Sequence, residues 1–333
     1  MHGQLRWMEV ESGALAGNAL RDPARRPLLV YLPPGHEAGA ERYPSVYFLH
    51  GFTASARSWV NVAPFQPSVP ERLDALVTSG ALPPLVAVFV DGWTALGGSQ
   101  WVNSPATGRY RDYVARDVVA AVDASCRTVA SAGARAVVGK SSGGYGALVM
   151  GAHHPDVFGH VASHAGDAAF EYCYLPDFPR AAAALEGTDP AAWLEAMVRR
   201  ARETKLRGDD HPVLNVLAMA AAYSPRAGAP LGLELPFDPG TARLREDVWA
   251  RWLEHDPVRF VPRRIASFRS LRSVYLDCGT RDEFNLRWGA RMIAESLRRG
   301  DVAVVAEEFD DGHSGLDYRF ARSLAVLAPR LGA

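Results

Sequence analysis

Three residue types in one chain order point to acyl-transfer chemistry. Ser141 lies in Val137-Val138-Gly139-Lys140-Ser141-Ser142-Gly143-Gly144-Tyr145-Gly146, a GxSxG element between an apolar run and a small-residue helical pattern. A serine at so sharp a strand-to-helix turn takes a strained backbone conformation, and only glycine-sized neighbours fit at Gly139 and Gly143. The turn lifts the hydroxyl clear of a sheet and aims the next helix N-terminus at the same point, where developing negative charge is stabilised.

A serine hydroxyl is a poor nucleophile at neutral pH. It needs a base, usually histidine, and a carboxylate that holds the histidine tautomer. Hydrolases of strand-and-helix build carry these in the order serine, acid, histidine. After Ser141 the chain offers Asp282 in Gly279-Thr280-Arg281-Asp282-Glu283-Phe284 and His313 in Asp310-Asp311-Gly312-His313-Ser314, each directly beyond an apolar run. Asp282 is preferred as the acid by position, and Glu283 stands beside it as a chemically competent rival. Asp277 comes too early for the loop, and Asp310 and Asp311 would have to fold back sharply. In Phe48-Leu49-His50-Gly51-Phe52-Thr53 another run ends in His-Gly. The backbone N–H groups of Phe52 and Ser142 are the expected oxyanion donors, and His50 is expected to fix that loop by a hydrogen bond.

These residues need a scaffold. Short apolar runs at Leu28 to Leu32, Ser45 to Leu49, Leu85 to Val90, Ala136 to Val138, Val161 to His164, Ser273 to Asp277 and Val302 to Phe309 read as strands. Helical spacing lies between them, as in Val114, Val118, Val119, Val122 and Cys126. Alternation of this kind favours a mostly parallel, doubly wound α/β sheet. The connection through Pro33, Pro34 and Gly35 to Tyr43 suggests a hairpin between the first two runs, hence an antiparallel start. From Cys173 to Arg264 the strand rhythm gives way to alanine-rich helical sequence, with Pro190 opening a helix over Ala191 to Leu206. The expected organisation is one domain over 1–333 with a cap-like helical insertion at 173–264. The stripe Phe320, Leu324, Leu327 and Leu331 predicts a last helix packed back on the sheet.

Composition narrows the partners. The formal net charge of -1 and the lack of a basic, aromatic-interleaved stretch argue against nucleic acid. Residues 1–11 lack the features of a secretory signal and no run has the length of a membrane span, so a cytoplasmic protein without a membrane partner is expected. Cys126, Cys173 and Cys278 are odd in number and far apart, which predicts buried thiols rather than disulfides or zinc ligands. His153, His154, His160 and His164 lack paired acidic ligands at metal-site spacing, so no metal and no cofactor are expected. Trp93 and Trp101 flank a glycine-rich loop and are expected to line the substrate pocket, with Trp193, Met197 and Tyr223 as further candidates. A small-molecule ester is the expected partner, with a homo-oligomer left open.

On these motifs the chain resembles the putative-esterase family of α/β-hydrolases, the group with esterase D, S-formylglutathione hydrolase, enterochelin-esterase-like proteins and mycolyltransferases. The resemblance also takes in Val30 to Pro34, Asp91-Gly92, Asn103 to Gly108 and Ser163-His164-Ala165-Gly166-Asp167. It implies an α/β-hydrolase fold and a serine carboxylesterase with Ser141, Asp282 and His313 as its triad. The alternatives that the same triad serves are an acyltransferase and a thioesterase; a noncatalytic binding protein is the third reading. Residues 173–264 find no counterpart in the resemblance.

Overall fold

The computed structural model describes residues 1–332. Its sheet has eight strands: β1 (Gln4–Glu11), β2 (Arg25–Leu32), β3 (Ser45–Leu49), β4 (Val86–Val90), β5 (Arg135–Lys140), β6 (His160–His164), β7 (Ser273–Gly279) and β8 (Val304–Phe309). They lie side by side as β1-β2-β4-β3-β5-β6-β7-β8. From β4 to β8 every neighbouring pair is parallel. β2 runs antiparallel to both β1 and β4. All the side chains of β3 and β4 are buried, as expected of strands covered by helices on both faces.

The antiparallel start is present, but the expected hairpin between β2 and β3 is not. β4 sits between them, pairing Leu28 with Val90 on one side and Leu49 with Val90 on the other. The connection at 33–44 therefore carries the chain past a strand position that is filled only later. β1 escapes an apolar-run reading because it is the sheet edge: of its eight residues only Val10 is buried.

Two apolar layers sandwich the sheet. One face packs Leu29, Phe48 and Val138 against α1 (Val69–Thr78) and the C-terminal helix, whose Phe320, Leu324 and Leu327 are buried. On the other face lie the helical run at 110–125 (α2), which takes a π turn over Tyr113–Val118, and α3 (Ser142–His153). The valine stripe of α2 is buried together with Cys126, so the spacing of its apolar residues predicted its inner face.

Between β6 and β7 the chain builds α4 (Phe178–Leu185), α5 (Pro190–Glu203), α6 (Asp210–Tyr223), α7 (Glu246–Glu254) and α8 (Pro257–Arg263). The Asp189 side chain accepts the Ala191 and Ala192 N–H groups and Pro190 occupies the first turn, which sets where α5 begins. Every residue of α6 from Pro212 to Tyr223 is buried. Val216 and Leu217 belong to the same apolar cluster as Val137 and Val161 of the sheet. α9 (Leu286–Arg299) and α10 (Arg319–Leu327) complete the chain's helices near the site. Among the described residues no helix is long and apolar enough to cross a membrane.

Candidate active site

Ser141 stands between β5 and α3 with φ 58° and ψ -127°, a conformation that costs a non-glycine residue about 1–3 kcal/mol. The strain is imposed from both sides. A Cβ at Gly139 would lie 2.2 Å from the Gly143 oxygen, and one at Gly143 would lie 1.9 Å from the Leu49 oxygen. The Ser141 N–H donates to the His164 oxygen at 2.9 Å, and the Ser141 carbonyl accepts from Tyr145 at 2.9 Å. The turn is thus tied to β6 and to its own helix.

His313 follows β8 and Asp282 follows β7, at the carboxyl ends of neighbouring parallel strands. Ser141 Oγ donates to His313 Nε2 at 3.0 Å, and His313 Nδ1 donates to Asp282 Oδ2 at 2.7 Å. Asp282 Oδ1 accepts from the N–H groups of Phe284 at 3.0 Å and Leu286 at 3.2 Å. Burial acts to raise the Asp282 carboxyl, yet the His313 hydrogen bond and charge, with the Leu286 and Phe284 donors, hold it below its ordinary value. Glu283 takes a different part of His313: its Oε2 accepts the backbone N–H at 2.7 Å.

The loop after β3 closes on the serine. A Cβ at Gly51 would meet the Ser141 Cβ at 3.3 Å, so the Gly51-Phe52 segment passes directly over the nucleophilic turn. The His50 ring holds that segment, since Nδ1 donates to the Gly51 oxygen and Nε2 accepts the Gly92 N–H, each at 2.8 Å. This pattern requires the neutral Nδ1–H tautomer, and burial accordingly pushes the His50 pKa down. Thr53 N–H donates to the Gly97 oxygen at 2.9 Å. Ser142 opens α3, with its hydroxyl donating to Asp167 Oδ2 and accepting from Gln100 Nε2, both at 3.0 Å.

Ser141, Ser142, His313 and Phe52 line one cleft of about 380 Å³. Trp93 and Trp101 do not. Trp101 is 1% exposed and its ring packs against Gly92 and Gly146, while its indole N–H donates to the His50 oxygen at 3.2 Å. It supports the His50-Gly51 loop from behind instead of forming a pocket wall. Trp93 faces a separate surface depression with Arg26, Arg57 and Asp91. Trp193, Met197 and Tyr223 also lie outside the cleft; Tyr223 is buried against His255 and Trp252.

Other residues take those places. His211 and Asn215, one turn apart on α6, face the cleft with Tyr174, Phe284 and Asp167. Their signal was a polar pair at i and i+4 in a helix that, from Pro212 on, is otherwise apolar up to Tyr223. Asp167 is fully withdrawn from solvent apart from the cleft, and burial raises its pKa against the Tyr174 and Ser142 hydroxyls that donate to it. Lys140, inside the GxSxG element, lines the opposite part with Asp317, and burial lowers its pKa.

A second serine–histidine–aspartate chain runs beneath the sheet end. His164 Nδ1 lies 2.7 Å from Asp277 Oδ1 and Nε2 lies 2.8 Å from Ser323 Oγ. Ser323 is 0% exposed and its hydroxyl also donates to the Phe320 oxygen at 3.2 Å, so both access and hydrogen bonding separate the two relays. Arg319 and the Tyr275 hydroxyl both donate to Asp277 at 2.8 Å, making it a structural hub. His160 is engaged with Ser273 and Gly133, so these histidines serve separate contacts. Among the described residues no group of three or more His, Cys, Asp or Glu is placed to hold a metal. Cys126, Cys173 and Cys278 are free and buried.

A mostly parallel sheet with an antiparallel start, and a serine, an acid and a histidine beyond the carboxyl ends of β5, β7 and β8, define an α/β-hydrolase fold. The chain belongs to the family described as Putative esterase, whose model matches residues 21–314. It is 26% identical over 152 residues to the endo-1,4-beta-xylanase/feruloyl esterase of Xylanibacter ruminicola, covering 44% of this chain and 20% of that protein. The chain thus spans about a fifth of the length of that curated relative. Among solved structures it is similar to a ferulic acid esterase with TM-score 0.63 and 19% identity over 99% of both chains. An S-formylglutathione hydrolase from Agrobacterium tumefaciens matches with TM-score 0.58 and 17% identity over 99% of this chain and 96% of that one. At these identities the structural likeness establishes the fold.

Proposed function

We propose that this protein is a serine carboxylesterase acting through an acyl-enzyme on Ser141. The observation that carries the reading is the continuous relay from Ser141 Oγ through His313 to Asp282, opening on a cleft. In the first step Ser141 Oγ attacks the ester carbonyl carbon as its proton passes to His313 Nε2. The Ser142 and Phe52 N–H groups take the oxyanion. The intermediate collapses, the alcohol leaves with the proton from His313, and the acyl group stays on Ser141. Water then attacks with His313 again as base, releasing the acid and restoring the serine. Asp282 keeps Nδ1 protonated and stabilises the imidazolium in both halves. No residue group in this sequence of steps calls for a metal or cofactor.

In this reading residues 173–264 form a cap that shapes one wall of the cleft through Tyr174, His211 and Asn215, which lie along it. The name of the Xylanibacter ruminicola relative makes feruloyl esters the first natural class to try. A cytoplasmic setting is also proposed, supported by three unpaired thiols. The test is hydrolysis of p-nitrophenyl esters and methyl ferulate by the wild type and Ser141→Ala, together with labelling by a fluorophosphonate. Turnover and labelling that vanish together in Ser141→Ala are expected. Hydrolysis by Ser141→Ala at the wild-type rate would overturn the assignment.

A further inference from the structure

A second cavity, of about 430 Å³, lies on the flank of α3 away from Ser141. Tyr145, Val149 and His153 of α3 face it at four-residue steps, and Arg111, His255 and Arg264 close it from α2 and from the ends of α7 and α8. Its charge is one-sided. Arg111, Arg263 and Arg264 line it, and among the described lining residues Glu254, exposed on the surface, is the one carboxylate.

The cations are not spoken for. Arg111 is half-buried, its Nε is sealed from solvent without a hydrogen-bond partner, and no carboxylate lies within ion-pair distance of it among the described residues. The adjacent Asp112 is turned to Asn103, which donates to it at 2.9 Å, and to Arg109 at 3.5 Å. Arg264 likewise makes no ion pair among the described residues. Arg263, exposed to solvent like Arg264, donates to the Arg259 and Glu254 carbonyl oxygens at 3.0 and 3.2 Å. Arg263 and Arg264 are exposed, so the half-buried Arg111, which has no carboxylate partner, is the charge that an anion in the cavity would compensate. The planar fork of arginine matches phosphate and carboxylate oxygens.

We propose that this cavity binds a small-molecule oxyanion, a phosphate or carboxylate, held by Arg111 and Arg264 with His153 and His255 as neutral hydrogen-bonding neighbours. The histidines report on the site. Burial, then the Arg111 charge, holds both at about 4, and Arg264 adds to this at His153. The other charged or titratable groups near them are Tyr145, Arg263, Glu254, His154, Asp112 and Arg116. An anion between the guanidiniums offsets the positive field and favours the protonated rings. The site stands apart from the Ser141 cleft and does not depend on the esterase reading.

The experiment is titration of the full chain with inorganic phosphate and, separately, with citrate, against sodium chloride at matched ionic strength. Calorimetry and histidine NMR are the readouts. Saturable binding with the His153 and His255 midpoints moving up by roughly one unit is expected, and Arg111→Met should abolish both effects. Arg264→Met, at an exposed position, weakens binding at least tenfold and serves if Arg111→Met does not fold. Binding of phosphate alone or citrate alone supports the site and identifies the anion class. Binding of neither, or binding that both variants retain, overturns the proposal.

Discussion

Asp282 and Glu283, consecutive in the chain, grip different parts of one residue: Asp282 Oδ2 holds the His313 imidazole at 2.7 Å and Glu283 Oε2 holds the His313 backbone N–H at 2.7 Å. The first contact sets the ring tautomer and the second sets where the loop carries the ring. Both carboxylates hold His313, but only Asp282 touches the ring that hydrogen-bonds Ser141. Asp282→Asn should therefore lower kcat by about four orders of magnitude, as when the wrong histidine tautomer is favoured. Glu283→Gln keeps an acceptor for the backbone N–H and should cost less than tenfold. Steady-state kinetics on one p-nitrophenyl ester distinguishes the roles; equal losses in the two variants would contradict them.

How far the site could be read before folding depends on what each residue does. Ser141, Asp282 and His313 sit in short local patterns, and their chain order is set by the order of strands in this kind of sheet, so their approach follows from topology. The choice between Asp282 and Glu283 has no local signal, because it depends on which side chain faces a loop distant by about thirty positions, and the structure assigns each a separate contact. Trp101 departs from the expected pocket wall for a related reason. A tryptophan after a glycine-rich loop looks like a pocket wall, but two glycines far apart in the chain, Gly92 and Gly146, make room for its ring behind the loop. The edge strand β1 left no apolar run to read, and the order β2-β4-β3 depends on a strand that comes later in the chain.

The place found for Trp101 has a kinetic consequence. Trp101→Phe keeps an aromatic ring over Gly92 and Gly146 but loses the indole donor to the His50 oxygen. Loss of one such bond is worth about 1 kcal/mol, or roughly fivefold. If the bond steadies the His50-Gly51 loop over Ser141, kcat falls by about that factor while KM stays near its original value. A change confined to KM would return Trp101 to a substrate-contact role.

The buried relay of Ser323, His164 and Asp277 allows a control that geometry alone cannot supply. Ser323→Ala should retain ester hydrolysis within about twofold and lose roughly 1 kcal/mol of stability for the missing hydroxyl contact. Fluorophosphonate labelling of Ser323→Ala should match the wild type. Loss of labelling in this variant would mean that the sealed relay takes part in the chemistry.

The nucleophilic turn has almost no steric tolerance. Gly143→Ala would drive a methyl group toward the Leu49 carbonyl oxygen, and both are backbone-fixed. Overpacking against movable side chains costs about 1–3 kcal/mol, and a backbone obstacle should put this variant at or above the top of that range. Chemical denaturation with activity measured in parallel tests this. A stable Gly143→Ala protein with full activity would show that the turn can open without penalty.

Acid should weaken the fold in two stages whose order follows from the folded-state pKa values. His153 and His255 stay neutral down to about 4, whereas unfolded histidine takes up its proton near its ordinary value of 6.5. Between those limits the unfolded chain binds more protons than the folded one, so stability falls as pH drops through the window and this contribution levels off below about 4. Glu307 acts next. The Arg322 hydrogen bond, helped by Tyr275 and Arg319, outweighs burial and holds it at about 2 against the ordinary 4.5. Its contribution is complete above 4.5 and is lost as pH falls toward about 2. Denaturation midpoints measured at fixed ionic strength from pH 7 to pH 3 should therefore decline first with a slope that His153→Gln/His255→Gln flattens, and then with one that Glu307→Gln flattens. If the double histidine variant declined as steeply as the wild type between pH 6.5 and pH 4, the histidines at the second cavity would not be the groups that resist protonation.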